Sequence, residues 1–217
     1  QKIVAIDNKI AFCGGFDLSK WRWDHPTHAP DDPCRRDPDN RPYQPFHDLQ
    51  ILLDGDAAAA LAELACKRWQ NATGHTLTPP QPPTEHDPWP NQVAPDVTEV
   101  PVAILRSQPR WEEQPEIREI EQFYHDAIAQ AQHWIYIENQ YLTNAAITNS
   151  LCQQLQAAQG PEIVIILPEK TGGWLEQNTM DVLRARVVRR LWAADRYQRL
   201  RIYYPAQTGL ADEECIM

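Results

Sequence analysis

The 217 residues are 42% hydrophobic and 23% charged, enough for a sizeable core in one or two domains of ordinary soluble composition. A formal net charge of -10 excludes a general electrostatic affinity for nucleic acid or anionic membranes, so any phosphate site must be local. No apolar run approaches the roughly 18 residues that a spanning helix needs, and Cys13, Cys34, Cys66, Cys152 and Cys215 form neither a Cys-x-x-Cys pair nor a dense disulfide framework, which points to a reducing compartment.

Residues 2–7 and 10–13 are short β-rich runs joined by Asp7-Asn8-Lys9, and they predict a hairpin ended by Gly14-Gly15. Residues 19–45 are crowded with Pro, Asp, His and Trp and predict a long irregular loop. A strand is expected over 48–53, then an alanine- and leucine-rich helix over 57–69 with Asp56 as its cap. Seven prolines in residues 75–98 rule out a helix or sheet interior and predict a linker or an extended surface crossing. Beyond it strand and helix alternate. Strands are expected over 100–105, 134–138, 162–167 and 200–204, and helices over 117–131, 145–158 and 175–194, the second capped by Thr143 or Asn144. Met180, Leu183, Val187, Leu191 and Ala194 recur at helical spacing and predict a core-facing stripe. The alternation defines an α/β fold class with a mainly parallel sheet.

The chemistry resides in one spacing. Lys2, four residues, Asp7, six residues and then Gly14-Gly15-Phe16-Asp17 resemble the signature His-x-Lys-x-x-x-x-Asp-x-x-x-x-x-x-Gly-(Gly/Ser)-x-(Asn/Asp) of the phospholipase D superfamily, with the leading histidine expected immediately before Gln1. Three further stretches are similar to segments between the two catalytic motifs of lipid-acting members: residues 14–24 (GGFDLSKWRWD), Phe46-His47-Asp48 ahead of residues 50–55, and residues 135–143 (IYIENQYLT). The resemblance implies a pair of α/β lobes, each a sheet sandwiched by helices. Residues 1–74 would then form part of the first catalytic lobe, 75–98 a proline-rich linker and 99–217 the start of the second lobe. Both catalytic histidines are expected outside these residues, and the 217-residue piece is expected to be inactive alone.

The resemblance also implies phosphodiester cleavage of a glycerophospholipid to phosphatidate and an alcohol through a phosphohistidine. Histidine suits such a site because it titrates near neutral pH and serves as nucleophile or acid. Lysines would hold the nonbridging phosphate oxygens as charge-assisted donors. Lys2 and Asp7 are the implied catalytic residues, with Gly14, Gly15, Asp17, His47, Glu138 and Asn139 as support for the phosphate site. The implied mechanism needs no metal or other cofactor. The expected partner is a phospholipid, with peripheral membrane contact and no nucleic acid, and the expected location is the cytoplasm or the membrane periphery.

Each assignment has a plainer alternative. Lys2 alone would read as an exposed strand lysine, Asp7 is a turn former on either reading, His47 reads equally as a structural histidine, and Glu138 and Asn139 as a polar strand cap. His25, His28, Asp31, Asp32 and Cys34 include good metal-ligand types, but their irregular spacing among prolines favours a solvated loop. Arg184, Arg186, Arg189, Arg190, Arg196, Arg199 and Arg201 could meet a headgroup, yet fit a solvated helix face better. Trp21 and Trp23 suit either a lipid interface or packing within the long loop. Lys170-Thr171-Gly172-Gly173 mimics part of a phosphate loop but lacks its glycine spacing. The rival functions are a non-catalytic interaction module or structural fragment and, within the superfamily, a nuclease or phospholipid synthase.

Overall fold

A computed structural model describes residues 2–78, 88–169, 177–206 and 209. The Lys170-Thr171-Gly172-Gly173 stretch, the start of the last predicted helix and the centre of the proline-rich segment lie outside these residues. The chain divides into two compact units, Gln1–Arg22 with Asp48–Ile104, and Trp23–His47 with Leu105–Met217.

The first unit is an antiparallel meander of β1 (Ile3–Ile6), β2 (Ile10–Gly14) and β3 (Gln50–Asp54) in the order β1-β2-β3. Between β1 and β2, the Lys9 N–H donates to the Ile6 carbonyl at 3.0 Å, and Asp7 and Asn8 both have positive φ (52° and 54°). That is the sign pattern of a type I′ turn, whose twist matches the flanking strands and which Asp and Asn tolerate better than bulkier residues do. Helix α1 (Gly55–Thr73) packs on this sheet, with Ala58 and Leu61 against Ala11, Ile3, Ala5, Cys13 and Leu53. Its cap position falls on Asp54 rather than the expected Asp56, which sits in the first turn, where a carboxylate favours the helix dipole. The helix ends where Gly74 takes φ 74° and returns its N–H to the Gln70 carbonyl at 2.8 Å, the left-handed C-terminal stop that glycine supplies.

The predicted strand over 100–105, whose residues 100–104 belong to the first unit, does not form. Pro101 removes one ladder donor, no strand among the described residues pairs with the segment, and Val100, Val102 and Leu105 stay exposed. In the second unit β4 (Ser107–Gln108) pairs with β5 (Ile117–Arg118), which delays the start of α2 (Glu119–Gln130) by two residues. Arg106 fixes that start: its backbone N–H and its guanidinium both donate to the Glu119 carboxylate.

The rest of the unit follows the alternation. β6 (Trp134–Glu138), α3 (Ala145–Gln156), β7 (Glu162–Ile166), a π-helical turn (Gln177–Asp181), α4 (Val182–Ala194) and β8 (Leu200–Tyr203) form a parallel sheet of order β6-β7-β8 with its helices. Asn144 caps α3, its side chain accepting from the Ala146 and Ile147 N–H groups at 2.8 and 3.1 Å. Because alternate residues of a strand face opposite sides, Ile135, Ile137, Ile163, Ile165, Leu200 and Ile202 meet Leu151, Leu155, Val187 and Leu191 from the helices in one core. Trp134, Tyr136 and Glu138 project from the other, exposed side of β6. The α4 stripe includes Val187, Leu191 and Ala194 as expected, but Leu183 is exposed. Buried Arg184 takes a place in that helix by donating to the Pro168 and Glu169 carbonyls and pairing with Asp181 at 2.9 Å.

Candidate active site

The first cluster lies in the antiparallel unit. Lys2 stands at the start of β1, and its ammonium donates to the Gly15 carbonyl and pairs with Asp17 at 3.1 Å. Arg22 approaches the same carboxylate at 3.5 Å. The hydrogen bond from Lys2, with Arg22 beside it, holds the Asp17 carboxyl below the usual carboxylate range. An ammonium carries three donors; Gly15 and Asp17 fix the direction of two and leave the third to meet an anion. The register explains the grouping. β1 and β2 run antiparallel with Ile3 opposite Cys13, so the residues that follow β2 return beside the start of β1.

Both glycines permit this close packing. Gly14 pairs with Gln50, and the Gly15 N–H donates to the Leu49 carbonyl at 3.0 Å. A methyl group on Gly14 would stand 2.7 Å from the Gln50 Cα and nearer still to the Leu49 carbonyl oxygen, while one on Gly15 would strike the Asp48 carboxylate. Gly14→Ala is therefore expected to cost about 1–3 kcal/mol, the usual range for overpacking, measured as a lowered urea midpoint.

Asp7 is not part of this cluster. It occupies the turn at the far end of β1, about 16 Å from Lys2 at ~3.3 Å per strand residue, and there it shapes the hairpin.

The second cluster organises the proline-rich loop, for which periodicity offered no structure. Arg35 is 1% exposed and spends its guanidinium on three partners: Tyr43 carbonyl at 2.8 Å, Asp24 carboxylate at 2.8 Å and Pro30 carbonyl at 2.7 Å. The Asp24 carboxylate also accepts from His28 Nδ1 (2.9 Å), the Phe46 N–H (2.9 Å) and the His25 N–H (2.8 Å). Burial alone would raise the Asp24 carboxyl, but the hydrogen bonds from His28, Arg35, Phe46 and His25 hold it below the usual carboxylate range. His25 itself bonds Asp32.

Through Phe46 this network fixes the backbone that carries His47. His47 Nε2 lies 3.5 Å from Glu138, at the carboxyl end of β6, and its ring meets the His28 ring edge-to-face at 5.5 Å. The carboxyl end of a parallel strand is the edge where α/β sheets place ligands. Tyr136, two residues before Glu138 and on the same side of the strand, donates to the Glu138 carboxylate.

Other residues singled out in the sequence have local partners of their own. Asn139 is a backbone cap: its side-chain oxygen accepts from the Tyr141 and Leu142 N–H groups at 3.0 and 2.7 Å. His25 and His28 engage different aspartates, and no group of three or more His, Cys, Asp or Glu is gathered for a metal among the described residues. Two of the seven arginines are buried rather than solvated. Arg184 serves the start of α4, and Arg199 donates to the Gln154, Leu155 and Ala157 carbonyls at the end of α3. Trp21 and Trp23 are both partly exposed, Trp21 beneath the Lys20 ammonium and Trp23 edge-on to His25. No helix among the described residues is long and apolar enough to cross a membrane.

No protein-family model matches the chain. Individual proteins do. The chain is 27% identical to phospholipase D1 of Saccharomyces cerevisiae over 196 aligned positions, covering 70% of this chain and 12% of that protein. It is 30% identical to phospholipase D C of Dictyostelium discoideum over 96 positions, 33% of this chain and 6% of the relative. With phospholipase D alpha 1 of Carica papaya it shares 26% identity over 195 positions, 67% of this chain and 24% of the relative. Each of these relatives is a phospholipase D, and the likeness supports a relation of the chain to the phospholipase D superfamily. It spans a quarter or less of the length of the curated relatives it matches.

Proposed function

We propose that this chain supplies part of a phospholipase D-type phosphodiesterase, the stretch between the two His-x-Lys motifs, acting on a glycerophospholipid to give phosphatidate and an alcohol. The observation that supports the reading is the Lys2, Gly15 and Asp17 cluster, formed by residues of the partial signature in a chain similar to phospholipases D. The proposed family architecture is a sheet-and-helix sandwich in two lobes, of which this chain holds most of the first and the opening of the second.

In the proposed reaction a histidine outside these residues attacks phosphorus and a second protonates the leaving alcohol. The alcohol departs with its electron pair, and water then displaces phosphatidate from the phosphohistidine. Lys2 donates its third N–H to a nonbridging oxygen, where negative charge grows in the transition state. Asp17 and the Gly15 carbonyl hold that ammonium in place, so little reorganisation accompanies the charge build-up. Asp7 keeps the hairpin shape, and His47 with Glu138 is the candidate support for phosphate within the second unit. The Glu138 and Asp17 carboxylates, in an acidic chain, also favour a lipid over a polyanionic nucleic acid. Peripheral membrane contact through Trp21 and Trp23 belongs to the same proposal.

The test is product analysis. The full-length protein incubated with phosphatidylcholine vesicles should release phosphatidate and choline, whereas the isolated 217-residue chain should release neither. Turnover by the isolated chain would contradict the need for the outside histidines, and cleavage of nucleic acid in place of lipid would favour the nuclease alternative.

A further inference from the structure

We propose that Asp24, clamped by Arg35, is a positioning residue of the candidate site, acting through His28 and His47. The inference rests on the phosphodiesterase reading and deepens it, because neither Asp24 nor His28 belongs to the partial signature. One buried carboxylate performs both tasks. Its Oδ2 accepts from His28 Nδ1 at 2.9 Å and from the Phe46 N–H at 2.9 Å, while its Oδ1 accepts from Arg35 at 2.8 Å and from the His25 N–H at 2.8 Å.

The first bond selects a tautomer. A carboxylate can only accept, so His28 must carry its proton on Nδ1, leaving Nε2 as the free, basic nitrogen in the neutral ring. The second bond anchors the residue preceding His47, whose Nε2 is directed to Glu138 and whose Nδ1 is then its other nitrogen. The two imidazoles meet edge-to-face, His28 with Nδ1 bonded to Asp24 and Nε2 left for chemistry, His47 with Nε2 lying 3.5 Å from Glu138. Arg35 keeps Asp24 ionised and immobile, and the Tyr43 hydroxyl closes the loop by donating to the Trp23 carbonyl at 2.8 Å. Side-chain exposure of 23% for His28 and 51% for His47, against 3% for Asp24 and 1% for Arg35, sets the order of function. The imidazoles can reach a ligand, and the ion pair behind them cannot.

Two measurements test this. In the 217-residue chain with labelled histidines, long-range nitrogen–proton correlation spectra near pH 8 should show neutral His28 in the Nδ1–H tautomer, the less common form for a free imidazole. An Nε2–H tautomer for His28 in the unsubstituted chain overturns the proposal without requiring any variant to fold. In Asp24→Asn the amide can donate to Nδ1, so His28 should switch to Nε2–H. In the full-length protein the same substitution should lower kcat on phosphatidylcholine by roughly ten- to a hundredfold, the scale for partners that orient an imidazole, with KM within about twofold. A switched tautomer with unchanged kcat overturns the positioning role. An unsubstituted full-length protein that cleaves no phosphodiester overturns the underlying reading, and the positioning role with it, whatever the tautomer.

Discussion

Replacing Arg35 by methionine should lower the stability of the second unit by roughly 3–5 kcal/mol, the cost of breaking a buried pair and leaving one charge without a partner. Methionine fills similar volume, so the loss isolates the charge and its hydrogen bonds from packing. Asp24 would remain ionised in a site where its side chain is 3% exposed, and the Tyr43 and Pro30 carbonyls would each lose a donor. In urea the midpoint should fall by about 1.5–2.5 M for an m-value near 2 kcal/mol/M. The double variant Arg35→Met with Asp24→Asn should recover part of the loss, since it leaves no bare charge. A single-variant loss below about 0.5 kcal/mol would show that the ion pair does not hold the loop.

The same network carries a pH signature. Folded Asp24 holds its proton less tightly than the unfolded chain does, at a reference value of about 3.9. Its contribution is thus complete above that pH and is lost as pH falls through the lower folded value. The stability gap between the unsubstituted chain and Arg35→Met should accordingly be widest above about pH 4–5 and shrink below about pH 3.

This loop shows where sequence reasoning stops. The β6, β7 and β8 strands and the α3 cap could be read from apolar runs and an Asn before a periodic stretch, because those signals are local. The 19–45 segment has no period, so its prolines predicted irregularity correctly while hiding a buried arginine whose partners are 5 to 11 residues away. An Arg in a Pro- and Asp-rich loop looks solvated until the chain is closed around it. Arg184 and Arg199 misled in the same way, since their partners are backbone carbonyls that no composition reveals. The 100–105 segment misled in the opposite sense. Its apolar residues suit a strand, but a strand needs a neighbour and Pro101 weakens the ladder.

The candidate site divides along the same line. Lys2, Gly15 and Asp17 come together because the three-residue connection Asp7-Asn8-Lys9 sets the hairpin register, and the register sets which residues meet. Asp7, five positions from Lys2, was carried to the opposite end of the strand by that same geometry. The His47 and Glu138 approach joins residues 91 positions apart, and only the resemblance singled them out.

Lys2 carries the largest expected functional effect. Its ammonium is held by the Gly15 carbonyl and Asp17, and under the proposed mechanism its remaining donor meets charge that develops only in the transition state. Removing such a donor typically costs about 10²–10³ in kcat. Lys2 is half-exposed, so its loss should leave the fold intact. The decisive measurement is therefore the steady-state rate of phosphatidate release from phosphatidylcholine by the full-length protein and its Lys2→Met variant, both verified as folded. A fall in kcat of at least about a hundredfold with KM little changed is the predicted result; a variant that turns over at the unsubstituted rate would contradict the assignment of Lys2 to a phosphate-cleaving centre.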